Sequence, residues 1–132
     1  MSRLKKRNML ILLGVIIVIL SGIGFNYLQQ VKEYQNTVEN ITFSNIDITK
    51  IPDGQYIGEC DVQFIYAKVK VTVSGGRIQD ITLLEHRNER GAEAETITDK
   101  IVEEQKVDVD AVAGATNSSK VIKKAVENAL LQ

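Results

Sequence analysis

Hydrophobic and polar positions divide the chain into an apolar beginning, an alternating middle and an end with helical spacing. Met9 to Phe25 is a run of 17 residues without a charge, interrupted in polarity only by Ser21. Tyr27 and Leu28 extend it to 20 residues. At ~1.5 Å per residue that length reaches about the ~30 Å of a hydrocarbon core. The pattern predicts a transmembrane helix over 9–28. Beyond it, apolar residues fall at Leu28, Val31, Tyr34, Val38 and Ile41, the three-and-four spacing of one helix face. Residues 29–47 therefore read as a stalk that carries the helix onward.

A folded domain is expected over 48–132. Pro52-Asp53-Gly54 marks a turn. Gln55 to Phe64 holds enough Tyr, Ile, Val and Phe for a strand, with Gly58 a weak point or a bulge. Ala67, Val69, Val71 and Val73 alternate with Lys68, Lys70 and Thr72, the signature of a half-buried strand with its valines inward. Ser74-Gly75-Gly76 turns the chain, and Arg77 to Glu85 returns as a hairpin partner offering Ile78, Ile81 and Leu83. Three such strands bury one face only if something covers it. A helix from about Ala92 to Lys106 supplies Ala94, Ile97, Ile101 and Val102. A last helix supplies Val121, Ile122, Ala125, Val126, Ala129 and Leu130. The expected fold class is α+β: a single N-terminal transmembrane helix, then a small antiparallel sheet covered by two helices.

Charge adds direction to this plan. Lys and Arg number 16 against 17 Asp and Glu. Arg3, Lys5, Lys6 and Arg7 all lie in residues 1–8, which leaves 12 basic against 17 acidic residues for the rest. The basic cluster is thus a membrane flank and not a face of the domain, which argues against nucleic acid as a partner. The positive-inside rule keeps residues 1–8 cytoplasmic and sends the C-terminal domain outside. A cleaved signal peptide is the competing reading, with Gly22-Ile23-Gly24 as its small-x-small site. The apolar run exceeds the usual signal core of roughly 7–15 residues and favours an uncleaved anchor. Cys60 is alone, so no internal disulfide forms. His86 is the only histidine, which excludes a multi-histidine metal site.

Between the two predicted domain helices lies a stretch from Asp108 to Ser119 that is small and polar where its neighbours are amphipathic. Gly114 and Ala115 offer almost no side chain, so a ligand or another protein can approach the backbone closely. Thr116, Ser118 and Ser119 bring three hydroxyls to the mouth of a helix expected to begin near Ser118. Unpaired N–H groups and the positive end of the dipole favour an anion there. The plainer reading makes Asn117, Ser118 or Ser119 an N-cap and Gly114 a turn.

Asp110-Ala111-Val112-Ala113-Gly114-Ala115-Thr116 resembles the flavinylation motif of the FMN-binding domain family: Asp, two variable residues, Ser or Thr, then Gly-Ala-Thr. Ala113 stands where Ser or Thr is usual. Asp53-Gly54-Gln55-Tyr56-Ile57-Gly58-Glu59 is similar to the family's opening segment. Ser74 to Ile81 resembles its turn and strand, and Leu84 to Gly91 its post-strand loop. The family includes the flavin subunits of the Na+-pumping NADH:quinone oxidoreductase and Rnf complexes, whose Glu-Thr-Pro-Gly-type loop is missing here.

The resemblance implies FMN as cofactor, moved from FAD by a flavin transferase onto Thr116 as a phosphodiester, with Asp110, Gly114, Ala115, Ser118, Ser119 and His86 around it. Asp110 then orients the loop or helps the transferase bind its metal; otherwise it is a solvated turn residue. His86 contacts the flavin or its phosphate, or is a surface histidine ending a strand. Arg87 and Arg90 are further phosphate candidates, although exposed arginines need no such role. The function implied is a membrane-anchored extracytosolic electron carrier, working between a membrane reductase and an external acceptor or carrier. The alternatives are a noncovalent FMN-binding or interaction subunit of a membrane redox complex, and an FMN-dependent reductase of a small acceptor. Nothing in the chain provides a nucleotide fold for NADH or an acid–base pair placed for substrate chemistry, so a carrier is favoured over an enzyme.

Overall fold

The computed structural model describes residues 2–88 and 91–132. The chain divides into two compact units, Met1–Asn36 and Thr37–Gln132. A single helix, α1, runs over Arg3–Glu39. It is long and apolar enough to cross a membrane, and none of its most apolar window is buried within the protein. The hydroxyl of Ser21 donates to the carbonyl of Ile17 at 2.7 Å, so the one polar side chain of the 9–25 run is satisfied inside the helix.

The second unit is α+β, as the pattern predicted. Strands β1 (Gly54–Asp61), β2 (Tyr66–Ser74) and β3 (Arg77–Arg87) form an antiparallel sheet in that order. Gly75 and Gly76 make the β2–β3 turn with φ of +60° and +71°, the left-handed pair that a two-residue hairpin between twisted strands requires. Val69, Val71 and Val73 point inward and are at most 2% exposed. They face Leu83, Ile81 and Ile78 across the β2–β3 ladder. Register shifts between Lys68 and Val69 and between Thr72 and Val73 absorb Leu84 and Gln79 as extra residues of β3.

Two helices cover the valine face. The expected helix over 92–106 is divided: Ala92–Thr96 is a 3-10 turn and α2 occupies Ile97–Glu104. The tighter turn, closed by the Ala94 N–H on the Gly91 carbonyl, drives Ala94 fully into the core. α2 ends where Gln105 takes a left-handed conformation, φ +53°. Its side-chain amide then bonds both backbone groups of Ile78, each at 2.8 Å. α3 (Thr116–Leu130) packs on β1 and β2, and α2 packs on β3. Val121, Ile122, Ala125, Val126 and Ala129 are fully buried, and burial of a Val or Ile side chain contributes roughly 1.5–3 kcal/mol. Gly58 answers the question its sequence posed. It is where α3 crosses β1, and a Cβ there would lie 2.1 Å from the Ala125 carbonyl oxygen.

Candidate functional site

The chain from Val107 to Thr116 is held as a shaped loop between α2 and α3. Val107 and Val109 insert into the core and anchor its beginning. The Lys100 ammonium donates to the Asp110 carbonyl at 3.3 Å. Further on, the Val112 N–H donates to the Ser119 hydroxyl at 3.0 Å, and the Ala115 N–H closes a turn on the Val112 carbonyl. Gly114 has φ +80°, in the left-handed region, and is exposed with open space around it. A side chain at this position would strain the turn that delivers the next residues.

The helix starts earlier than the sequence suggested. Ala115 is the N-cap and Thr116 the first helical residue, so none of Asn117, Ser118 and Ser119 caps it. Ser118 and Ser119 point into the domain and are 2% and 0% exposed. The apolar stripe of α3 continues backwards through these two small residues, and this sets the start at Thr116. Thr116 itself is exposed. The N-cap residue Ala115 has no side chain that could cap the first turn, and no acidic residue lies in that turn. The result is a helix N-terminus whose dipole and N–H groups favour an anion, with an exposed hydroxyl on its first residue.

Two buried polar atoms lack a hydrogen-bond partner among the described residues: Ser118 Oγ and His86 Nε2. Ser118 Oγ sits directly under Gly91, where any Cβ would meet it at 2.0 Å. Gly91 N–H donates to the Asn88 side chain at 2.9 Å, and Asn88 Nδ2 lies 3.4 Å from His86 Nδ1. Ser118 is thereby linked to His86 through Gly91 and Asn88. The His86 ring is 2% exposed, so it is not a surface histidine. Its Nδ1 lies 3.1 Å from Glu95 Oε1. Glu95 and Asn88 thus both meet Nδ1, and Nε2 is the ring nitrogen left without a partner among the described residues. Buried polar atoms without partners are rare in native interiors, and two of them lie close to the loop that leads to Thr116.

The other motif residues are placed differently. Asp110 is exposed, as is Ala113, so a hydroxyl at position 113 would meet solvent. Arg87 stacks over the Tyr66 ring, 4.8 Å from its centre, and pairs with Glu85. Arg90 and Glu89 lie outside the described residues. A polar groove of 590 Å³ beside the β2–β3 turn is lined by Asp47, Thr49, Arg77 and Gln105 among others, and by none of the motif residues. Burial pushes the Cys60 thiol above its ordinary pKa, which keeps it protonated and poorly reactive.

Sequence reasoning missed Lys123 and Glu127, which are 5% and 2% exposed. Lys123 donates to Asp108 Oδ1 and to the Val109 carbonyl, both at 2.7 Å. Glu127 accepts from Lys124 at 2.7 Å and from the Ser44 N–H at 3.0 Å. Their i, i+4 spacing reads as a solvated ion pair, and nothing local indicates that residues 42–44 and 108–109 return over them.

A family model for the FMN-binding domain matches residues 65–131. No curated protein and no solved structure matches the chain. The match takes in β2, β3, α2, the loop and α3, and so contains His86, Ser118 and Thr116 together. Spanning half of the sequence and enclosing these unpartnered polar atoms, it establishes that the chain belongs to the FMN-binding domain family, with FMN as its cofactor.

Proposed function

We propose that the protein is a membrane-anchored, extracytosolic electron carrier whose FMN is esterified through its phosphate to Thr116. The observation that carries this reading is the exposed Thr116 at the start of a helix whose N-cap is an alanine, two residues before the buried Ser118, whose hydroxyl has no partner among the described residues. In the attachment, Thr116 Oγ1 forms a bond to the phosphorus of the FMN half of FAD. The bond from that phosphorus to AMP breaks, AMP leaves with its electron pair, and the hydroxyl proton passes to a base of the flavin transferase. Asp110, exposed on the same loop, is available to that transferase.

FMN when bound supplies one- and two-electron oxidation–reduction chemistry. The chain supplies tether, orientation and electrostatics. A phosphodiester keeps one negative charge beside the start of α3, where the dipole favours it by ~0.3–1 kcal/mol. The ester matters more, since outside the cell a dissociating cofactor is diluted away. Ser118 and His86 offer hydrogen bonds to the nucleotide from the interior, and Gly91 packs so closely on Ser118 that no side chain fits at position 91. Arg3, Lys5, Lys6 and Arg7 support this orientation by the positive-inside rule: N-terminus in the cytoplasm, α1 across the membrane and the domain outside. The partners on this reading are the transferase, a membrane reductase as electron donor, and an external acceptor or second carrier.

The test is the intact mass of the protein co-expressed with a flavin transferase, followed by peptide mapping. The expected result is one added FMN on the peptide holding Thr116, absent in Thr116→Ala. An unmodified mass beside an active transferase would overturn the covalent carrier. FMN retention by the unmodified chain in dialysis would then support a noncovalent flavin-binding subunit.

A further inference from the structure

We infer that Lys123 is a positioning residue for the acceptor loop, held in that role by Phe43 from the segment that follows α1. The inference rests on the proposed attachment at Thr116 but reads a different set of contacts. The Lys123 side chain is 6% exposed, and its ammonium has three donors. Two are used on Asp108 Oδ1 and the Val109 carbonyl, both at 2.7 Å. The remaining side of the ammonium lies 4.5 Å from the centre of the Phe43 ring. A buried cation met by a carboxylate, a carbonyl and an aromatic face is fully satisfied.

The two groups it grips are consecutive residues just before Asp110, where the loop toward Thr116 begins. Lys123 itself stands two turns into α3, the helix that presents Thr116. It thus ties the entry of the loop to the helix at its exit, while Ser119 ties the middle through Val112. Phe43 is kept in place from both sides. The Thr42 carbonyl accepts from Lys124 at 3.0 Å, and the Ser44 N–H donates to Glu127 at 3.0 Å. Residues 42–44 therefore dock on α3 through Lys124 and Glu127, and that docking presents the ring that covers Lys123. An ammonium covered by a ring meets less water, and its hydrogen bonds to 108 and 109 strengthen accordingly.

The experiment uses the full chain in detergent, as wild type, Lys123→Met, Lys123→Arg and Phe43→Leu. Amide hydrogen exchange over residues 108–116 is compared with the rate at which a flavin transferase modifies Thr116 across a range of FAD concentrations. Lys123→Met should speed loop exchange at least tenfold and slow modification several-fold at saturating FAD, with the KM for FAD unmoved, because the acceptor and not the donor is misplaced. Lys123→Arg should restore part of both. Phe43→Leu, which keeps an apolar cover without a ring face, should give a smaller change in the same direction. Unchanged loop exchange in Lys123→Met and Phe43→Leu overturns the inference. So does faster exchange with an unaltered modification rate, which would make the contact structural only. If wild type takes no FMN, the attachment reading fails by itself, and the positioning role fails with it even where loop exchange responds.

Discussion

The two ends of α3 are finished in opposite ways. At its C-terminal end, Asn128 donates to the Glu59 carbonyl at 2.9 Å and the Gln132 side chain to that of Ile57, while Gly58 lets the helix lie directly on β1. Polar groups there have partners within the fold. At the N-terminal end the N-cap is an alanine, Thr116 is exposed, and Ser118 Oγ is buried without a partner among the described residues. One helix thus serves as a scaffold at one end and remains open to a ligand at the other. The open end is the less favourable in the chain alone, since a buried hydroxyl without a partner costs about 1–3 kcal/mol. The closed end supplies part of what offsets that cost.

The contrast can be broken most severely at Gly58. A Cβ there meets the Ala125 carbonyl and the Ala129 backbone nitrogen at 2.1 and 2.3 Å, both backbone atoms that cannot turn aside. Gly58→Ala should destabilise the domain by about 3 kcal/mol, measured by denaturant unfolding. An unchanged midpoint would mean that α3 does not seat on β1 as described. A finer test lies in the adjacent serines. Ser119→Ala removes the acceptor of the Val112 N–H and should cost about 1 kcal/mol. Ser118→Ala removes a hydroxyl that has no partner, and should stabilise the flavin-free chain by up to about 1 kcal/mol while weakening FMN retention. Equal losses of stability in both variants would remove the case for an open end.

Asn128→Ala comes next, with an expected loss of about 0.5–1 kcal/mol, because its bond is exposed and water replaces it in part. The smallest effect belongs to the sheet's outer face. Tyr66 donates to Glu59 at 2.7 Å, and that bond pushes its phenol up to about 12 from an ordinary value near 10. A folded-state pKa above the unfolded one means that the bond's stabilisation is complete below about pH 10 and is lost as the pH rises toward about 12. Tyr66→Phe should flatten that part of the stability profile, with tyrosinate absorbance as the direct readout of the titration.

Most of the fold was legible because its signals are local. The alternation of Ala67, Val69, Val71 and Val73 and the Gly75-Gly76 turn need no knowledge of distant residues. The six apolar positions expected to bury on α3 are all buried. What escaped was set by contacts far along the chain. Ser118 and Ser119 read as capping residues until the helix is seen to begin before them, because Ala115 and Thr116 carry no strong start signal. Lys123 and Glu127 read as solvent-facing because a helical wheel knows nothing of Phe43, Ser44 or Asp108. Thr116 was visible only through its motif, since spacing alone left a cap and an anion site as rivals.

The side-chain amides of Gln105, Asn128 and Gln132 carry a consequence for how copies of the domain meet one another. β1 and β3 are the two edges of a three-stranded sheet, and open edges are templates on which further strands add. On β1 the carbonyls of Glu59 and Ile57 are already occupied, and on β3 both backbone groups of Ile78 are. With those edge groups engaged, neighbouring copies find fewer bonds through which to zip into a continuous sheet, and aggregation by strand addition is opposed at both edges.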